Sequence, residues 1–113
     1  MFIYHITEAS TWQRAILEGN YSSTSFHDEG FIHCSNKDQV IKVADTYYKN
    51  AVNLVLLKMD TRLLEVPLVY ENLEGKEELF PHVYGKINLN AVVEARPLLQ
   101  NEEGIFHFPE FSL

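Results

Sequence analysis

The chain has 113 residues and a formal net charge of −7 at pH 7, a length that predicts one domain over residues 1–113 with a core of modest extent. Six Tyr, seven Phe and one Trp exclude a disordered chain, and the acidic balance gives no electrostatic reason to expect duplex nucleic acid or an anionic membrane as partner. The single cysteine excludes an internal disulfide, no apolar run approaches the length of a membrane span, and the N-terminus carries no signal-peptide pattern, so a cytoplasmic protein is expected. The only arginines are Arg14, Arg62 and Arg96, which leaves few cationic candidates for holding an anion.

Phe2–Ile6 is aromatic and β-branched and predicts a strand, followed by a turn at Thr7–Ser10. Ser10 or Thr11 then caps a short helix over Thr11–Glu18 with Trp12, Ala15 and Ile16 on one face, and Gly19 ends it. Tyr21–Phe26 is polar, with a brief strand at Tyr21–Ser22. His27–Gly30 reads as a turn and Phe31–Cys34 as extended chain. Ser35 and Asp38 resemble a capping box for a helix from Asn36 to about Asn50, whose apolar stripe is Val40, Ile41, Val43, Ala44, Tyr47 and Tyr48. Leu54–Leu57 is continuously apolar and predicts a central strand buried on both faces.

Pro67 suits the start or edge of a strand, and Leu68–Glu71 reads as extended. Asn72–Glu78 is a polar loop, its carboxylates Glu74, Glu77 and Glu78 forming a solvated face. Phe80–Gly85 is punctuated by aromatic rings and a histidine. Ile87–Glu94 alternates with period two and predicts a strand that Arg96-Pro97 ends. A turn at Asn101–Gly104, a last strand at Ile105–Phe108 and a tail from Pro109 complete the chain. The sum is an α+β domain of two short helices and about six mostly antiparallel strands.

Candidate chemistry concentrates in Phe31–Ser35, where a strand runs into a helix and His33 can face a cleft. Alternation puts Ser35 on the face of His33, as cap, ligand-facing hydroxyl or both, and turns Cys34 toward the core. His5 faces opposite to Tyr4 and Ile6. His82 and Tyr84 share a face if extended. They either fill the gap between loop and core or offer a stacking ring and a hydroxyl to a base or nicotinamide. The five histidines include no close-spaced metal motif, and no metal is assigned.

Taken together, Ile3–Thr7, Trp12 and Ala15 with Gly19, Gly30–Ser35 with Gln39-Val40, and Phe80–Gly85 resemble domain of unknown function family 952 over nearly the whole chain. That family is more distantly similar to the ADP-ribosyltransferase fold, in particular its RNA 2′-phosphotransferase branch. The resemblance implies a two-sheet architecture holding NAD or ADP-ribose, a nucleotide-like small molecule, in a cleft. It implies cofactor contacts at His5, Thr7, His33, Ser35, His82 and Tyr84 and catalytic roles at His5, His33, Tyr84 and Glu71. The family's third position, often glutamate, falls in Pro81–Gly85, where no glutamate stands, so Glu71 and Glu65 are the carboxylates expected to replace it. Three functions follow as alternatives: an NAD-linked transferase or hydrolase, a non-catalytic nucleotide-binding module, and a protein-interaction domain. No oligomeric state is assigned.

Overall fold

A computed structural model describes residues 1–73, 75 and 77–112; Glu74, part of the expected acidic face, lies outside them. In chain order the elements are β1 (Phe2–Glu8), α1 (Ala9–Glu18), β2 (Asn20–Tyr21), α2 (Thr24–Glu29), β3 (Ile32–His33), α3 (Val40–Tyr47), β4 (Leu54–Asp60), β5 (Leu68–Glu71), β6 (Phe80–Val83), β7 (Ile87–Asn88), β8 (Val92–Gln100) and β9 (Phe106–His107). Short 3-10 turns occupy Lys37–Gln39, Thr61–Leu63 and Leu89–Ala91. The class is α+β, and the pairings are antiparallel.

The largest sheet runs β1-β4-β8-β9, so the apolar run beginning at Leu54 is an inner strand as its composition predicts. Ile3 opposes Met59 and Tyr4 opposes Lys58 across β1 and β4. Strand alternation divides the core between the sheet's two faces. Ile3, Leu57 and Met59 join Ala15, Tyr21, Ile32, Cys34 and Val83 on one side. Tyr4, Ile6, Leu54 and Leu56 join Val40, Ala44, Leu98 and Phe106 on the other.

Among the described residues the strands form three groups rather than two sheets: the four-stranded one, a β3-β6-β5 sheet and a β2-β7 ribbon. The outer edge of β1 is tied to the segment after β3, because Tyr4 N–H donates to Ser35 O and Ser35 N–H donates to Tyr4 O, both at 2.8 Å. This pair of hydrogen bonds borders a cleft that Ser35 lines.

Other expectations shift for identifiable reasons. The expected turn at His27–Gly30 is the second half of α2. The Ser23 side chain accepts from Phe26 N–H at its start, and Gly30 adopts φ 85° at its end. The helix has no buried residue, so it lacks the apolar stripe by which helices are found. α1 follows β1 directly, with Glu8 and not Ser10 or Thr11 at the cap position, and Gly19 takes φ 89° after it as expected. The capping box sits one residue later than Ser35 and Asp38: Asn36 N–H donates to Gln39 Oε1 at 2.9 Å, while the Ser35 backbone is engaged with Tyr4. The turn at Leu89–Ala91 divides the expected strand Ile87–Glu94, and β8 runs past Arg96-Pro97 to Gln100. Pro97 opposes Val55 of β4, whereas the far side of β8 pairs with β9 only at Leu99 and Gln100. A missing N–H on that unpaired side leaves the ladder intact.

Candidate functional site

His5 is buried on β1, on the face of Ile3 and Thr7. Its Nδ1 lies 2.6 Å from the His33 carbonyl oxygen and its Nε2 lies 2.6 Å from the Tyr21 hydroxyl. A carbonyl only accepts, so the proton of the neutral ring sits on Nδ1. Nε2 then accepts from Tyr21, whose hydroxyl oxygen also lies 2.9 Å from Thr7 Oγ1. Burial lowers the His5 pKa to about 4, against a smaller upward pull from the His33 carbonyl. Burial likewise raises that of Tyr21. The network is neutral near pH 7, and both nitrogens of His5 are committed. His5 therefore holds β1, β2 and β3 together at the base of the site instead of presenting a free nitrogen.

Above this base opens a cleft of about 470 Å³. His5, Thr7 and Glu8 enter it from β1, Ser23, Thr24 and Ser25 from around the start of α2, and His33 and Ser35 from the end of β3. Tyr47 and Tyr48 at the end of α3 and Phe80 at the start of β6 add aromatic rings. Among the described residues lining the cleft there is no Lys or Arg, and Glu8 is the single carboxylate. Burial, then the Glu8 charge, raises the Tyr48 phenol pKa. The cleft thus combines hydroxyl groups with aromatic side chains. Cys34 borders the cleft but is packed in the core, where burial raises its thiol pKa and makes it a poor nucleophile.

Glu71, His82 and Tyr84 come together in a second network that is not part of the cleft lining. Glu71 Oε1 accepts from the Tyr84 hydroxyl and from His82 Nδ1–H, the latter at 2.8 Å. Those two bonds, Tyr84 first, lower the carboxyl pKa of Glu71 and the same bond raises that of Tyr84. Phe31 stacks on the buried His82 ring at 4.3 Å and touches the rings of His33 at 4.8 Å and Tyr84 at 5.2 Å. Tyr84 packs against Phe31 and is not among the residues that line the cleft. Glu65 is exposed beside β7, its backbone N–H donating to Asn88 Oδ1 at 3.1 Å.

His33 joins the two networks. Its carbonyl receives the His5 proton, and its ring stands edge-on to His82 at 5.1 Å. Its Nε2 lies 3.1 Å from Glu29 Oε1 at the end of α2. Sequence reasoning did not single out Tyr21, Glu29 or Glu8 as parts of the site. For Glu29 a signal exists in its four-residue spacing from His33; for Tyr21 only the three-dimensional pairing of β2 with β7 brings its ring inward. Among the described residues no three His, Cys, Asp or Glu side chains converge on a point suited to a metal ion. No helix among them is long and apolar enough to cross a membrane.

Among curated proteins, none matches this chain. The crystal structure of protein CC0527 from Caulobacter crescentus superposes with a TM-score of 0.85 at 28% identity, covering 95% of this chain and 94% of that one. The solution NMR structure of CC0527 gives 0.80 at 28% identity, over 92% and 90% of the two chains. Residues 6–95, which run from within β1 into β8 and include His33 and His82 but not His5, match the family described as "Protein of unknown function (DUF952)", and the chain belongs to that family.

Proposed function

We propose that the cleft binds a nucleotide-like small molecule, NAD or ADP-ribose, in an ADP-ribosyltransferase-like architecture. The observation that carries this reading is the 2.6 Å bond from His5 Nδ1–H to the His33 carbonyl, which joins two strands of different sheets at the base of one hydroxyl-lined, aromatic-walled cleft. Thr7 and Ser35 both line the cleft, and Ser35 pairs with Tyr4 across the β1 edge. Their hydroxyls suit ribose oxygens as partners. Tyr47, Tyr48 and Phe80 suit an adenine or nicotinamide ring, for which stacking contributes about 0.5–1.5 kcal/mol per ring pair beyond buried area. His5 acts through Tyr21 and His33 as a positioning residue, whereas the half-exposed ring of His33 is available to ligand.

A second reading, transfer or hydrolysis at the nicotinamide–ribose bond, is favoured by Glu8. Breaking that bond sends the bonding pair to nicotinamide and leaves positive charge on the sugar until an acceptor oxygen or water attacks. A carboxylate beside the sugar stabilises this charge, and Glu8 is the carboxylate on the cleft lining, whereas Glu71 is held by His82 and Tyr84.

Calorimetry or ligand-observed NMR with NAD, ADP-ribose and nicotinamide tests the binding reading, with folded His33→Ala as control. Binding that His33→Ala abolishes is the expected result. Absence of binding at millimolar ligand rejects the NAD-linked reading. If NAD binds, nicotinamide release that Glu8→Gln slows at least about a hundredfold, in keeping with loss of a transition-state electrostatic contact, supports the enzyme over the binding module.

A further inference from the structure

A nucleotide carries phosphate, yet the cleft lining contains no Lys or Arg. The missing charge stands next door. A groove of about 320 Å³ lies between α1 and the start of α2, and Thr11, Ser23 and Thr24 line both it and the cleft. Arg14 and His27 line the groove only. Arg14 follows Thr11 by three residues on α1, and His27 follows Thr24 by three on α2, so each helix sets a basic group one turn from a shared hydroxyl. Glu18 lines the groove one further turn along α1, which leaves the Arg14 end, adjacent to the cleft, as the positive one.

The cation inventory points the same way. Arg62 forms a bidentate pair with Asp60, Arg96 is bonded to Glu94, and Lys42 to Glu78. Lys37 and Lys58 lie over aromatic rings. Among the described residues Arg14, Lys49 and Lys86 have no carboxylate within ion-pair distance, and of these three Arg14 lines the groove. An arginine on a chain of net charge −7, lining a polar groove that shares Thr11, Ser23 and Thr24 with the cleft, fits the planar two-point recognition of a phosphate.

We propose that the α1–α2 groove is the phosphate subsite of the cleft's ligand, with Arg14 as its charged anchor and His27 opposite, so that the ligand is a phosphorylated nucleoside and not a free nucleoside or base. This rests on the nucleotide reading of the cleft. The test measures affinities of the full chain for ADP-ribose and for adenosine, each with the wild type, Arg14→Gln and Arg14→Lys, and each at low and high salt. The expected result is that Arg14→Gln weakens ADP-ribose by about tenfold or more, the loss of one charge-assisted contact, and leaves adenosine unchanged. Arg14→Lys keeps part of the affinity, and salt weakens ADP-ribose alone. Equal affinity of the wild type for the two ligands, or an unchanged ADP-ribose affinity in Arg14→Gln, overturns the subsite while the cleft reading stands. Equal losses for both ligands also overturn it, since the effect is then not on phosphate. Failure of the wild type to bind either ligand rejects the cleft reading and the subsite with it.

Discussion

A single histidine sets the pH behaviour of the site. The ordinary His pKa of 6.5 falls to about 4 for His5 in the folded chain, through burial. Between those values the unfolded chain binds more protons than the folded one, so stability rises with pH across that window. The His5 contribution is present in full above about pH 6.5 and is lost as pH falls toward 4; a shift of this size corresponds to roughly 3 kcal/mol. The acidic groups titrate lower. Arg62 holds the Asp60 carboxyl at about 2, and the carboxyls of Glu71 and Glu94 are also lowered, so their losses come mainly after that of His5. Urea unfolding followed from pH 7 to pH 4.5 is expected to show a falling midpoint in the wild type and a much flatter profile in His5→Gln, whatever the variant's absolute stability. An equal slope in both proteins would show that His5 is protonated in the fold. The inward aim of His5 was readable from strand alternation with Tyr4 and Ile6. Its commitment at both nitrogens was not, because Tyr21 and the His33 carbonyl are 16 and 28 residues away in sequence.

At the scale of elements, the β6 network depends on a close approach that only glycine permits. A Cβ on Gly85 would lie 2.5 Å from Val66 Cγ1 and 2.8 Å from Val66 Cβ. Val66 precedes the edge strand β5, and Tyr84 N–H donates to Pro67 O at 2.8 Å, so the two segments cannot part without breaking that bond. Gly85→Ala is expected to cost about 1–3 kcal/mol, the range for forced overpacking. Adding Val66→Ala is expected to return part of the loss, a coupling measurable by denaturant unfolding of both single variants and the double. Additive losses would place the strain in the backbone and not at Val66. The elements legible in the sequence were those with a strong period or a long apolar run: β1, β4, the stripe of α3, the end of α1 at Gly19. Pro67 before β5 was legible as a strand start. What escaped was α2, six residues long and without a buried side chain, and the 3-10 turn at Leu89–Ala91, where apolar alternation continues through a change of direction. The site was legible in the same measure. His33 and Ser35, grouped by parity, both line the cleft together with Cys34 between them, whereas Tyr84, grouped with His82, is not among the lining residues.

Across the whole molecule the two faces of the large sheet have different work. One carries the His5 network, and the cleft also takes Ile6, Val43 and Tyr48 from the core on the second. The other is closed by the end of the chain, which reads in sequence as a mere tail. Phe108 meets the Tyr4 ring edge-on at 5.4 Å and Phe111 lies 5.9 Å from it. Ser112 N–H donates to Glu94 Oε1 at 2.9 Å, and Arg96 Nη2 donates to Ser112 Oγ at 2.8 Å. The buried Lys58 lies 5.5 Å from the Phe111 ring and 4.3 Å from that of Phe2. Tyr4 is the residue these rings cover, and its backbone forms two hydrogen bonds with Ser35, which lines the cleft. The chain end and the site are thus coupled through one residue of β1, whose side chain faces one layer while its amide faces the other segment. Phe111→Ala is expected to cost about 1–3 kcal/mol, below the range for a fully buried phenylalanine because the ring is half-buried. Beyond that global loss, amide hydrogen exchange is expected to quicken at Tyr4 and Ser35 more than at Leu56 and Leu57 of the inner strand, because local opening at the β1 edge no longer has to displace the ring. Phe111→Leu, which keeps most of the apolar contact, is expected to leave the Tyr4 and Ser35 amides near wild-type protection. A uniform change across all four amides would mean that the chain end stabilises the fold without reaching the site.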